Sequence, residues 1–112
     1  MTAGGVLATA PSAGAAGGCP SSRLCVWDGT NFTGHRILSA STNSCFYTGA
    51  FTFGYIRSYS NNLPVDATVW QRDDIEGDWY EVRTLVAGKF SSDIGIYGLG
   101  AGGAVCEGSQ TP

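Results

Sequence analysis

From Leu24 onward, apolar, aromatic and β-branched residues gather in runs too short for helices, and glycine, asparagine and serine clusters separate them. The runs are Leu24–Trp27, His35–Leu38, Cys45–Phe46, Tyr55–Tyr59, Ala67–Gln71, Trp79–Leu85 and Ile94–Tyr97. Seven or eight short strands with turn signals between them predict an all-β chain folded as an antiparallel sandwich.

The runs are themselves organised by a repeat. VWDGTNFTG at 26–34 and VWQRDDIEG at 69–77 have equal lengths, open alike and close on glycine, so a shift of 43 lays Val26, Trp27 and Gly34 on Val69, Trp70 and Gly77. A shift of 41 lays Phe53-Gly54-Tyr55-Ile56 on Ile94-Gly95-Ile96-Tyr97. Two similar halves follow, 23–64 and 65–106, joined at Leu63-Pro64-Val65, where proline ends one half before the next strand begins. One four-stranded unit cannot bury its own apolar face, so two packed together form the smallest stable arrangement.

Each copy of the phrase reads as a folded hairpin. Trp27 and Phe32 can pack over the turn, and Gly34 supplies a positive-φ conformation that a side chain would obstruct. The spacing of aromatic, four residues, aromatic, one residue, glycine resembles the signature of the βγ-crystallin Greek-key motif, with Ser58 as its late serine. The second copy keeps Trp70 and Gly77, carries Ile75 in place of the second aromatic, and has no equivalent serine. The resemblance implies a βγ-crystallin-like sandwich of two Greek-key motifs spanning residues 18–108.

CPSSRLC at 19–25 is similar to the opening of the Streptomyces metalloproteinase inhibitor family, as are GTNFTGHR and Ala87-Gly88-Lys89. That resemblance implies a secreted, crystallin-like peptidase inhibitor. It also implies that Cys19 pairs with Cys25, and with that pair formed, Cys45 with Cys106. In the resembled family a short-range disulfide in the second half brackets the reactive segment. Here the matching stretch is Glu76-Gly77-Asp78-Trp79-Tyr80-Glu81, without cysteines. Asp78, Trp79 and Tyr80 are the candidate partner contacts, because aromatics anchor interfaces; the competing expectation is that Trp79 and Tyr80 are strand residues, one facing the core and one the solvent.

Composition narrows the partners. A net charge of −3 and a pI near 4.7 give no basic footprint for nucleic acid and no cationic face for membrane lysis. The four cysteines form an even set without a CxxC spacing, and with a lone histidine they make poor zinc ligands, so two disulfides and an oxidising compartment are expected. The uncharged MTAGGVLATAPSAGAAGG at the start agrees with export: residues 1–17 read as a signal-peptide remnant or flexible leader, and 109–112 as a flexible tail. No stretch is apolar enough to span a bilayer as a helix.

Candidate chemistry is sparse. His35 has no carboxylate motif near it in sequence, no GxSxG elbow occurs, and Ser21, Ser22, Ser91 and Ser92 read as turn residues. The acidic run Asp73-Asp74-Ile75-Glu76-Gly77-Asp78 fails the EF-hand spacing. The positions that hold calcium in metal-binding crystallins look like Phe53 and Gly54 here, which offer no side-chain oxygen. The expectation is therefore a monomeric, secreted, non-enzymatic protein-binding domain with no metal, no cofactor and no catalytic residue, acting as a peptidase inhibitor. The alternatives are an antimicrobial or killer-toxin-like factor, or a structural extracellular module.

Overall fold

A computed structural model describes residues 16–51, 53–95, 99 and 102–112. Among the described residues eight strands form: β1 (Leu24–Trp27), β2 (Arg36–Ser39), β3 (Cys45–Tyr47), β4 (Ser58–Asn61), β5 (Ala67–Arg72), β6 (Trp79–Leu85), β7 (Phe90–Ser91) and β8 (Gly103–Glu107). Two short 3-10 turns, Ala16–Gly18 and Thr48–Phe51, are the helical segments among the described residues. None is long and apolar enough to cross a membrane.

Two antiparallel four-stranded sheets, ordered β2-β1-β4-β7 and β3-β8-β5-β6, make the sandwich. In each half the fourth strand returns to lie beside the first, the return that defines a Greek key. The third strand does something the repeat alone did not reveal. β3 crosses to the sheet of the second half and β7 to the sheet of the first, so the halves exchange strands as well as packing face to face. The edge of β4 in the first sheet and of β8 in the second is thereby paired by the other half, while β2 and β6 stay at edges.

Inward-facing residues of both sheets build one core: Leu24, Val26, Ile37, Tyr59, Val69, Leu85 and Val105 from strands, with Phe53, Ile56, Ile94 and Leu99 from the connections. Period-two alternation explains why Leu24 and Val26 point inward while Cys25 and Trp27 point outward. Yet β1 is buried on both faces. Its outer face is covered by the segment around Cys19, which is bonded to Cys25, and by Phe32. Gly17 lies so close that a Cβ there would stand 2.7 Å from both Trp27 and Phe32.

Several sequence-based strand limits change, β2 starting after His35 and β3 and β5 running one residue further. The run expected at Tyr55–Tyr59 pairs at Ser58–Asn61 instead, and Ser91, expected in a turn, lies in β7. Ile94 is buried in the core but is not in a strand, and residues 96 and 97 of that expected run lie outside the described residues. β8, which like β7 was not among the expected runs, is central in its sheet and buried at all five positions. Its glycine-rich approach hid it, because glycine is depleted from ordinary strand patterns.

β8 ends on a buried carboxylate. Ala67, beside Glu107 in register, belongs to the core, and Glu107 is fully buried there. Burial pushes its carboxyl above the ordinary glutamate value, against the opposing pull of hydroxyls from Ser39 and Ser44. Its Oε2 has no hydrogen-bond partner.

Candidate functional site

The two hairpins diverge in structure as they do in sequence. In the first, Trp27 and Phe32 meet edge to face at 5.2 Å between ring centroids, and Phe90 of the exchanged β7 approaches Phe32 at 6.4 Å. Asn31 and Phe32 both adopt positive φ, a costly conformation for side-chain-bearing residues. Buried Ser58 holds it: its hydroxyl accepts from Phe32 N at 3.1 Å and donates to Gly29 O at 2.6 Å. Gly34 follows at φ 86°.

The same fold-back brings Asp28 onto His35, a carboxylate that no local motif announced. Asp28 Oδ1 accepts from His35 N at 2.8 Å, and Oδ2 lies 3.0 Å from Nδ1. A turn brings together positions seven apart, which a motif search along the chain does not pair. The imidazole side chain is 84% exposed, and the neighbouring Thr33 hydroxyl donates to Thr30 O. An exposed pair of this kind lacks the water-excluded, positioned nucleophile that covalent catalysis needs.

In the second hairpin, Gly77 has φ 79°, matching Gly34, but the packing is different. Ile75 does not fold back onto Trp70 and is 91% exposed at the tip. Trp70 is paired in register with Ala104, whereas Trp27 is paired with Ser58, so methyl stands where the first half has its hydroxyl. Asp73 closes the turn instead. Its Oδ1 accepts from Ile75 N at 2.7 Å and Glu76 N at 3.0 Å, an Asx-turn that depends on no other element. Those two N–H groups, Glu76 first, hold its carboxyl below the ordinary aspartate value. Asp73 N further donates to Asp78 O at 2.7 Å. The tip is closed by its own hydrogen bonds yet open to solvent.

Trp79 and Tyr80 both lie in β6, an edge strand. They project from opposite faces, Trp79 opposite Arg72 on the outer face and Tyr80 opposite Gln71 on the side of Val69, where it is still 48% exposed and outside the core. Trp79 shares a face with Glu81, and a register row runs from Glu81 through Trp70 and Ala104 to Tyr47. Trp79 and Tyr47 reach across that row from opposite edges of the sheet until their ring centroids are 5.9 Å apart. Tyr47 is 48% exposed and Trp79 half-buried, so the pair forms an aromatic surface on the outer face of the second sheet. Tyr80, also exposed, projects from the opposite side of β6, and Asp78 is exposed beside the tip.

Tyr47 was missed by sequence reasoning, though a signal was present. The 43-residue shift that aligns the hairpins also lays Tyr47 on Phe90. Both are third-strand aromatics carried by exchange to the opposite hairpin, Phe90 to Phe32 and Tyr47 to Trp79.

Cys45 is disulfide-bonded to Cys106 as its register partner, stitching β3 to β8 and so the first half to the second. No cysteine among the four is free. Among the described residues no group of three or more His, Cys, Asp or Glu side chains converges as metal ligands would.

A family model for peptidase inhibitor family I36 matches residues 12–82. The chain belongs to peptidase inhibitor family I36. The matched segment runs from before the Cys19–Cys25 bridge through both hairpins and ends within β6, so it contains the aromatic fold-back, the Asx-closed tip and Trp79. No curated protein matches the chain, and no solved structure matches it. Family I36 membership supplies a peptidase as the general kind of partner, and the geometry above shows what the chain offers one.

Proposed function

We propose that the chain is a secreted, monomeric, non-enzymatic peptidase inhibitor that docks through the open end of the β5–β6 hairpin, with Asp78, Trp79 and Tyr80 among its contacts. Membership of peptidase inhibitor family I36 carries the reading. The tip supports it, because a loop held by its own hydrogen bonds loses little entropy on binding. Ile75 is the apolar side chain best placed to enter a peptidase pocket, being the most exposed large hydrophobic residue described. The two disulfides suit an oxidising compartment, and the strand exchange between Greek keys suits the crystallin-like ancestry of the scaffold.

The experiment titrates the pure protein into metallo-, serine and cysteine peptidases. The expected result is a saturable, stoichiometric loss of activity in at least one class, weakened by Ile75→Ala with no change in thermal midpoint. Full activity of every peptidase at a large molar excess of the protein refutes the proposal.

A further inference from the structure

The charge of this chain is not spread over it. Residues 72–83 carry Asp73, Asp74, Glu76, Asp78 and Glu81 against Arg72 and Arg83, an excess of three negative charges. The whole chain has a net charge of −3, so the remaining four acidic and four basic residues cancel, and the β5–β6 hairpin holds all of the imbalance. Arg72 lies opposite Trp79 in register, on the aromatic face, and is engaged in its own turn, whereas Arg83 pairs with Val69 on the side of the core. Arg72 Nε donates to Gly77 O within that turn.

Trp79 of that hairpin meets the exposed Tyr47 of β3, with Glu81 on the face of Trp79. Aromatic faces attract cations through their quadrupole, and the attraction grows when a carboxylate stands beside the ring and water is displaced. We propose that the Tyr47–Trp79 surface and its acidic rim form a docking site for a basic segment of the target, in which a lysine or arginine side chain lies on the rings with Asp78 and Glu81 beside it. The identity of that target as a peptidase rests on the reading above; the cationic chemistry does not. Such a site selects among peptidases by the charge around their clefts, and it accelerates encounter at low salt.

The test uses two synthetic peptides of equal length, one rich in lysine and arginine and one in which glutamate replaces every basic residue. Binding to the full chain is followed by calorimetry at about 20 and about 200 mM salt, a range over which surface charges become strongly screened. The lysine-arginine peptide is expected to bind, to lose about tenfold or more in affinity at the higher salt, and to lose a similar factor with the isosteric Asp78→Asn/Glu81→Gln variant. Tyr47→Ala is expected to weaken it at both salt concentrations, and thermal melting of each variant checks folding. If Tyr47→Ala melts early, the isosteric variant alone decides. No binding of the basic peptide, equal binding of both peptides, or indifference to the Asp78/Glu81 variant overturns the inference, as does indifference to Tyr47→Ala in a folded protein.

A peptidase arm separates the two proposals. Basic-peptide binding without inhibition of any peptidase sinks the inhibitor reading and leaves this surface standing. Inhibition that is equally strong at both salt concentrations and in the Asp78→Asn/Glu81→Gln variant sinks the surface and leaves the inhibitor reading.

Discussion

Gly34 and Gly77 occupy equivalent places in the two hairpins with nearly equal φ, 86° and 79°, yet substituting them should have different consequences. An L-residue in that left-handed region costs about 1–2 kcal/mol, and this part of the penalty is common to both. The surroundings differ. A Cβ on Gly34 would collide with Asp28 Oδ1, whereas a Cβ on Gly77 would meet only the flexible end of Arg72 at 3.4 Å. Moving the Asp28 carboxylate disrupts its bonds to His35 N and Nδ1, which at about 0.5–1.5 kcal/mol each, near the lower end because the site is exposed, add about 1–2 kcal/mol. Gly34→Ala should therefore cost about 2–4 kcal/mol and Gly77→Ala about 1–2. Urea unfolding followed by tryptophan fluorescence measures both as shifts in midpoint at constant slope. Repeating Gly34→Ala in an Asp28→Ala background removes the colliding oxygen and its bonds, so the cost should fall to the backbone share of about 1–2 kcal/mol. Equal costs in both backgrounds, or a Gly34→Ala penalty no larger than that of Gly77→Ala, would refute the reasoning.

Other consequences are equally open to measurement. Ser58→Ala leaves Phe32 N–H and Gly29 C=O without their shared partner, and should lower stability by about 1–3 kcal/mol; a thermal midpoint within error of the parent contradicts the role given to that hydroxyl. The Glu107 carboxyl titrates higher in the folded chain than in the unfolded one, so the folded state binds more protons. Its contribution is fully present below the ordinary glutamate value of 4.5 and is lost as pH rises through the folded value. Glu107→Gln should remove that decline, and parallel curves of midpoint against pH for variant and parent would exclude it. Removing the Cys45–Cys106 bridge, with a sequence separation of 61, should cost about 4 kcal/mol in the chain-entropy model, against about 2 for the Cys19–Cys25 bridge with a separation of 6. Differential scanning calorimetry of the two double-alanine variants would show the order, and a reversal would count against the model.

The sequence by itself determined the all-β class, the two halves and the residues of the first hairpin, because these depend on local chemistry. Short apolar runs between turn formers cannot be helices, and an aromatic pair ahead of a positive-φ glycine closes within nine residues. The cysteine partners became legible only through the family resemblance, since spacing does not distinguish one long-range pairing from another. Tertiary structure decided the rest. β8 is a strand because β3 and β5 flank it and hydrogen-bond both its edges, which overrides the glycines at its start. The exchange of β3 and β7 depends on which sheet edge each short strand meets, and no period in the sequence records that. It is this exchange that carries Tyr47 to Trp79, so the candidate docking surface joins residues 32 positions apart from opposite halves of the repeat. The carboxylate beside His35 was hidden for a smaller reason of the same kind, a turn that brings its two ends together.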